Sequence, residues 1–318
     1  MDTAAALSPG IAVAALGFKI STSAIDAITI KVGIVAAFTV NVFAVQIPGR
    51  LDGEVARAMK EKAEGEKVSE ASNALLPASG KSYVTPSGWA FAIWGPIYIG
   101  ELVFSAWVGL SKLDGAANET MKEMLPFWVS ANLFQSLWCA TFRPRFHVDS
   151  AKRTLGPFVS AFYLGLTALS LGKASLIISR KSSDVTMAEK AAFVPLTMHF
   201  GWTTAATLVN VNGALANYKN AGSDRNLYVL GCASIVTALT ASAAVAFKTK
   251  QPTYSLVVGW ALFAVSSGMK ARIGSLSGGV ALDRADRIRS ISYCCGAASV
   301  LIGAAALTAS CFSSRKEA

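Results

Sequence analysis

The sequence predicts an all-α, polytopic membrane protein of about eight transmembrane helices, and three observations predict it. Charged residues are only 15% of the 318, against about 25% in an ordinary soluble domain, while 53% are hydrophobic. The apolar residues collect in runs long enough for a bilayer core, which needs roughly 20 residues of helix. No run alternates as a barrel strand does, so the backbone must satisfy itself in lipid as helices.

Eight spans are read in order, at about 27–47, 89–110, 125–142, 155–178, 193–218, 227–247, 253–270 and 291–312. The third and seventh are short. Most connections are brief, which favours antiparallel neighbours. The exception is 48–88, which opens at Pro48-Gly49 and runs through mixed charges from Arg50 to Glu70 before a Ser/Pro/Gly tract. Its charged half reads as a short solvated helix. Residues 279–290 form a second basic connector. Of the 29 Lys and Arg, 17 fall in connectors 1–2, 3–4, 5–6 and 7–8, counting Lys270 at the very end of the seventh span. The positive-inside bias therefore puts those connectors on one, cytoplasm-like side and both termini on the other.

The same distribution explains the net charge of +10 without nucleic acid, because the basic residues sit between apolar runs and make no patch interleaved with aromatics. Cys139, Cys232, Cys294, Cys295 and Cys311 lie in or beside apolar runs with no C-x-x-C pair, and read as small apolar helix residues. The N-terminal segment, residues 1–26, carries no clear cleavable signal and leaves the organelle open.

No Walker loop, H-E-x-x-H or G-x-S-x-G motif is present, and the two histidines, His147 and His199, are too few for a histidine-cluster metal enzyme. The expectation is a non-enzyme with no metal and no required cofactor. The spans instead carry stripes of polar and aromatic residues. Trp94, Tyr98 and Glu101 share one face of the second span; Gln135, Trp138 and Phe142 one face of the third; Trp202, Ala206 and Asn210 one face of the fifth. Interfacial belting suits Trp89, at the start of its span, but suits Trp202 poorly. Two readings remain for these stripes, helix–helix packing and a ligand pocket. A carboxylate inside a span costs roughly 2.5–3.5 kcal/mol at the centre, so Glu101 is expected to face protein or a cavity. His199 is a hydrogen-bonded core residue or, less commonly for a lone histidine, a ligand to a tetrapyrrole metal.

The same residues resemble the TspO/MBR family of translocator proteins and tryptophan-rich sensory proteins. The run Pro86-Ser87-Gly88-Trp89-Ala90-Phe91-Ala92-Ile93-Trp94-Gly95-Pro96-Ile97-Tyr98 is similar to the family's lead into its second helix. Gln135-x-x-Trp138-x-x-x-Phe142 resembles its Asn-x-x-Trp-x-x-x-Phe, with Gln in place of Asn. Trp202-x-x-x-Ala206-Thr207-x-x-Asn210 has the spacing of its last helix, whereas the cholesterol-recognition pattern after that helix is not met. The resemblance covers 27–218 and implies a five-helix TspO-like membrane domain there, with 219–318 as a three-helix membrane extension of the longer bacterial type.

It further implies a pocket for a hydrophobic planar ligand, a porphyrin or related tetrapyrrole, serving sensing, buffering or transport. Trp94, Tyr98, Gln135, Trp138, Phe142, Trp202, Ala206 and Asn210 are the ligand-binding residues it points to, with Glu101 and His199 as further candidates. The expected partners are the lipid bilayer, that small molecule, and a second copy or a membrane complex. The alternative function is a non-catalytic structural subunit of a larger membrane complex, docked through the small residues Gly231, Gly259, Gly296 and Gly303 of the last three spans.

Overall fold

A computed structural model describes residues 25–64, 82–113, 115–147, 155–181, 186–218, 223–274 and 279–316. The N-terminal segment up to residue 24 and the second half of the long connector, 65–81, lie outside the described residues. The described residues contain helices and no strand: α1 (Ala27–Gln46), α2 (Leu51–Ala63), a 3-10 turn (Gly88–Ile93) running into α3 (Trp94–Leu110), α4 (Gly115–Thr141), α5 (Pro144–His147), α6 (Gly156–Arg180), α7 (Met187–Ala192), α8 (Val194–Asn217), α9 (Asp224–Thr249), α10 (Pro252–Ile273) and α11 (Val280–Lys316).

Local chemistry starts these helices where they start. Asp26 caps α1 by accepting the Thr29 N–H at 2.7 Å, and those hydrogen bonds hold its carboxyl below the usual carboxylate value. Thr186 and Glu189 form a capping box at α7. Proline stands in the first turn of α6, α8 and α10, where its missing N–H is no loss. Lys250 ends α9 in the left-handed region at φ +54°.

Five long helices close into a ring, with α1 packed on α4, α4 on α6, α6 on α8, α8 on α3, and α3 back on α1. The last three helices pack chiefly on one another, and α9 and α10 also lie against α8. Eight long helices thus stand where eight spans were read. Among the described residues, six stretches are long and apolar enough to cross a membrane: Ala27–Glu54, Gly88–Leu110, Gly156–Arg180, Asp224–Thr249, Pro252–Ile273 and Val280–Ala309. The chain is an integral, multi-pass membrane protein.

The two long helices that fall short on composition are α4 and α8. Both turn polar groups inward, α4 with Asn132 and Gln135 buried and α8 with His199, Thr203 and Asn212 buried. Those groups are accommodated without lipid contact. On α8, Thr203, Thr204, Thr207, Asn210 and Asn212 each donate to a carbonyl four residues back, at 2.7–2.9 Å. On α4, Asn132 accepts from Asn41 of α1 at 3.0 Å. α4 begins at Gly115, ten residues before the apolar run read from about 125, because its charged first turns extend beyond that run. Lys181, just past the end of α6, meets Glu123 there at 2.7 Å.

The connectors that the loop-charge reading put on one side also touch one another. Arg272 donates to the Ser82 carbonyl at 2.7 Å, and Tyr83 and Arg284 both bond to Asp224. Arg143 donates to the Pro48 carbonyl at 2.7 Å. Connectors 1–2, 3–4, 5–6 and 7–8 therefore share one end of the bundle. At the other end Ser175 and Thr197 both donate to Gln251, at 2.8 and 2.7 Å.

Candidate functional site

The two halves of the five-helix ring are filled differently. Toward the α7 end, Phe104, Met121, Met124, Trp128, Phe193 and Leu196 are all buried in one apolar cluster with Ile30 and Ile34 of α1. The Phe104 ring lies 5.3 Å from Trp128 and 6.0 Å from Phe193. Toward the other end the ring encloses a cavity of about 80 Å³.

The cavity wall is aromatic and small-residue rich. Trp94 comes from α3, Trp138 and Phe142 from the end of α4, Leu164 from α6, and Trp202, Ala205, Ala206, Val209 and Asn210 from α8. Pro86 and Phe91, from the segment leading into α3, roof it, and Ala261 of α10 adds a wall from outside the ring. Trp94 and Trp202 meet edge to face at 6.0 Å, Phe91 and Trp202 at 5.7 Å, and Trp138 stacks on Phe142 at 5.0 Å. The helical spacing explains why: residues three, four and seven apart fall on one face. Of the helices that carry those faces, α3 and α8 are neighbours in the ring, and α4 is separated from them by α1 on one side and α6 on the other.

Of the ten sequence-predicted residues, six line this cavity: Trp94, Trp138, Phe142, Trp202, Ala206 and Asn210. The other four do not line it: Gln135, Glu101 and His199 are buried, and Tyr98 is half-buried. His199 Nδ1 and Glu101 Oε1 are 2.7 Å apart, with both side chains out of reach of lipid. Glu101 thus faces protein, as its insertion cost requires. Trp94 lies edge-on to the His199 ring at 5.4 Å and stacks with Tyr98 at the same distance.

Several polar atoms around these residues have no hydrogen-bond partner among the described residues. Trp138 Nε1 and Trp202 Nε1 are in that state on the cavity wall, as are Glu101 Oε2 and His199 Nε2 away from it. Buried polar groups are nearly always paired, with protein, water or ligand, because an unmade bond costs about 1–3 kcal/mol. Trp128, in the apolar half, shows the ordinary condition, donating to the Ile34 carbonyl at 3.0 Å.

Sequence reasoning missed the charged edge of the site. The start of α2 was read as solvated, yet Asp52 lines the cavity and its side chain is 17% exposed. This is a correction to the solvated-helix reading, with a clear cause. The Leu51 N–H donates to the Phe142 carbonyl at 2.9 Å, which folds the start of α2 against the end of α4. Arg50 and Asp52 then form a two-pronged pair at 3.0 and 2.7 Å, and the guanidinium lies 5.4 Å from the Trp138 ring centre. The acidic first turn of α2 was legible; its fold-back was not. Ala261 gave no sequence signal at all.

Comparison with curated proteins and with solved structures returns no match. The family model described as TSPO-like protein matches residues 27–308, which runs from the first residue of α1 through most of α11 and covers both the five-helix ring and the three helices after it. The chain belongs to the TSPO-like protein family.

Proposed function

We propose that this protein binds a flat, mostly apolar molecule in the cavity between α3, α4, α6, α8 and α10, and that its role is binding rather than catalysis. The carrying observation is the pair of buried indole N–H groups of Trp138 and Trp202, without a partner among the described residues, on a mostly apolar wall. Stacked and edge-on rings suit a planar occupant, and two donors suit one that bears an acceptor on its edge. The tetrapyrrole class implied by the family resemblance meets both conditions.

Size sharpens the reading. Drug-sized ligands occupy pockets of roughly 300–1,000 Å³, and the cavity is about 80 Å³. As it stands it takes one edge of a ring system, so a whole macrocycle requires the Pro86–Phe91 roof to move outward. Sensing, buffering and transport all begin with this binding step.

Titration of the purified protein with protoporphyrin, followed by tryptophan quenching, tests the proposal. Trp202→Phe keeps an aromatic wall but removes a donor, and is expected to weaken binding by about 0.5–1.5 kcal/mol. Ala206→Phe fills the cavity and is expected to weaken it further while the melting temperature in detergent stays close to the parent. Quenching curves that superimpose for the parent and both variants refute the assignment.

A further inference from the structure

The segment that roofs the cavity is not held by the five-helix ring alone. The Ser87 N–H donates to the Ala264 carbonyl of α10 at 2.9 Å, and the Trp260 indole donates to the Ala90 carbonyl at 3.1 Å. The Ser267 hydroxyl lies 3.3 Å from that of Ser87 and accepts from the Trp89 indole at 3.4 Å. Trp89 and Trp260 meet edge to face at 4.6 Å. Gly268 completes the fit: a Cβ there would run into the Thr85 carbonyl, so the roof backbone lies directly on α10 at a residue without a side chain. One turn further along, Arg272 donates to the Ser82 carbonyl, and Tyr83 reaches Asp224 of α9, which also pairs with Arg284 of α11.

We infer that the last three helices act as the clamp on the cavity roof, with α10 as the positioning element that sets how readily the cavity opens. Every member of the clamp belongs to α9, α10 or α11, and every group it holds lies in residues 82–90. Ala261, on the same helix, carries the clamp into the cavity wall. The three-helix unit thus has a task on the cavity itself.

The test needs no ligand, so its outcome is separate from that of the binding proposal. In a full-length chain whose five cysteines are replaced by serine, Ala206→Cys places a thiol on the cavity wall. The rate of its modification by a water-soluble methanethiosulfonate reports roof opening. Gly268→Leu should raise that rate about tenfold or more, and the double variant Trp260→Phe, Ser267→Ala about threefold, with Lys270→Ala on the exposed side of α10 unchanged. A second thiol, Ser105→Cys in the filled half of the ring, should keep its parent rate throughout. Rates at Ala206→Cys within about twofold of the parent overturn the inference. So does a parallel rise at Ser105→Cys, which would mean general loosening. If Gly268→Leu does not fold, the double variant decides by the same criteria.

Discussion

The two halves of the five-helix ring are built from the same helices and use buried tryptophan in opposite ways. In the filled half, Trp128 is wholly enclosed, touches Phe104, and spends its indole N–H on the Ile34 carbonyl. In the hollow half, Trp94, Trp138 and Trp202 surround space, and the N–H groups of two of them bond to nothing among the described residues. The difference teaches that burial alone does not separate a packing residue from a wall residue. Trp128 and Trp202 are both almost fully buried, at 0% and 3% exposure. Hydrogen-bond status and the space beside the ring separate them.

The largest expected effect breaks that comparison directly. Trp128→Ala removes a close-packed side chain and leaves a cavity, which costs about 3–5 kcal/mol. Trp202→Ala enlarges a cavity that already exists and should cost clearly less. Thermal melts of both variants in the same detergent check this, and equal losses would erase the distinction between the halves.

Between the halves lies the Glu101–His199 pair, and the second effect concerns it. Glu101→Leu leaves the imidazole buried with its Nδ1 unpaired, a cost of about 1–3 kcal/mol. Glu101→Gln keeps an acceptor oxygen at that position and should recover much of the loss. Because His199 packs edge-on to Trp94, the leucine variant should also change tryptophan emission, while the glutamine variant should not. Melts and emission spectra of the two variants decide whether the pair supports the wall or merely fills space.

The smallest effect tests the clamp at the bundle end, away from both halves. Burial, and then the hydrogen bond to Asp224, push the Tyr83 phenol up to about 12. The folded value lies above the unfolded value of about 10. The contribution is therefore complete below pH 10 and is lost as pH rises through about 12. Ultraviolet titration should show one phenolate appearing near that upper limit in the parent and absent in Tyr83→Phe. A phenolate that appears at the ordinary value instead would show that Tyr83 is not held by Asp224.

Much of this architecture follows from the sequence by itself. Apolar run length placed all eight long helices, since the bilayer leaves the backbone no alternative. The even number of spans between them placed connectors 1–2, 3–4, 5–6 and 7–8 together. The 3.6-residue repeat put Trp94 with Tyr98 and Glu101, Trp138 with Gln135 and Phe142, and Trp202 with Ala206 and Asn210, each on a single face. Periodicity states which residues share a face but not which helix that face meets. Only the tertiary structure decided that His199 stands opposite Glu101, 98 residues earlier in the chain. It alone returned Asp52 from a charged connector to the cavity edge, through one backbone hydrogen bond to Phe142. It alone brought Ala261 across from a helix outside the ring. Each of these contacts depends on the order of helices around the ring and on chain ends folding back, and neither is written in local hydropathy.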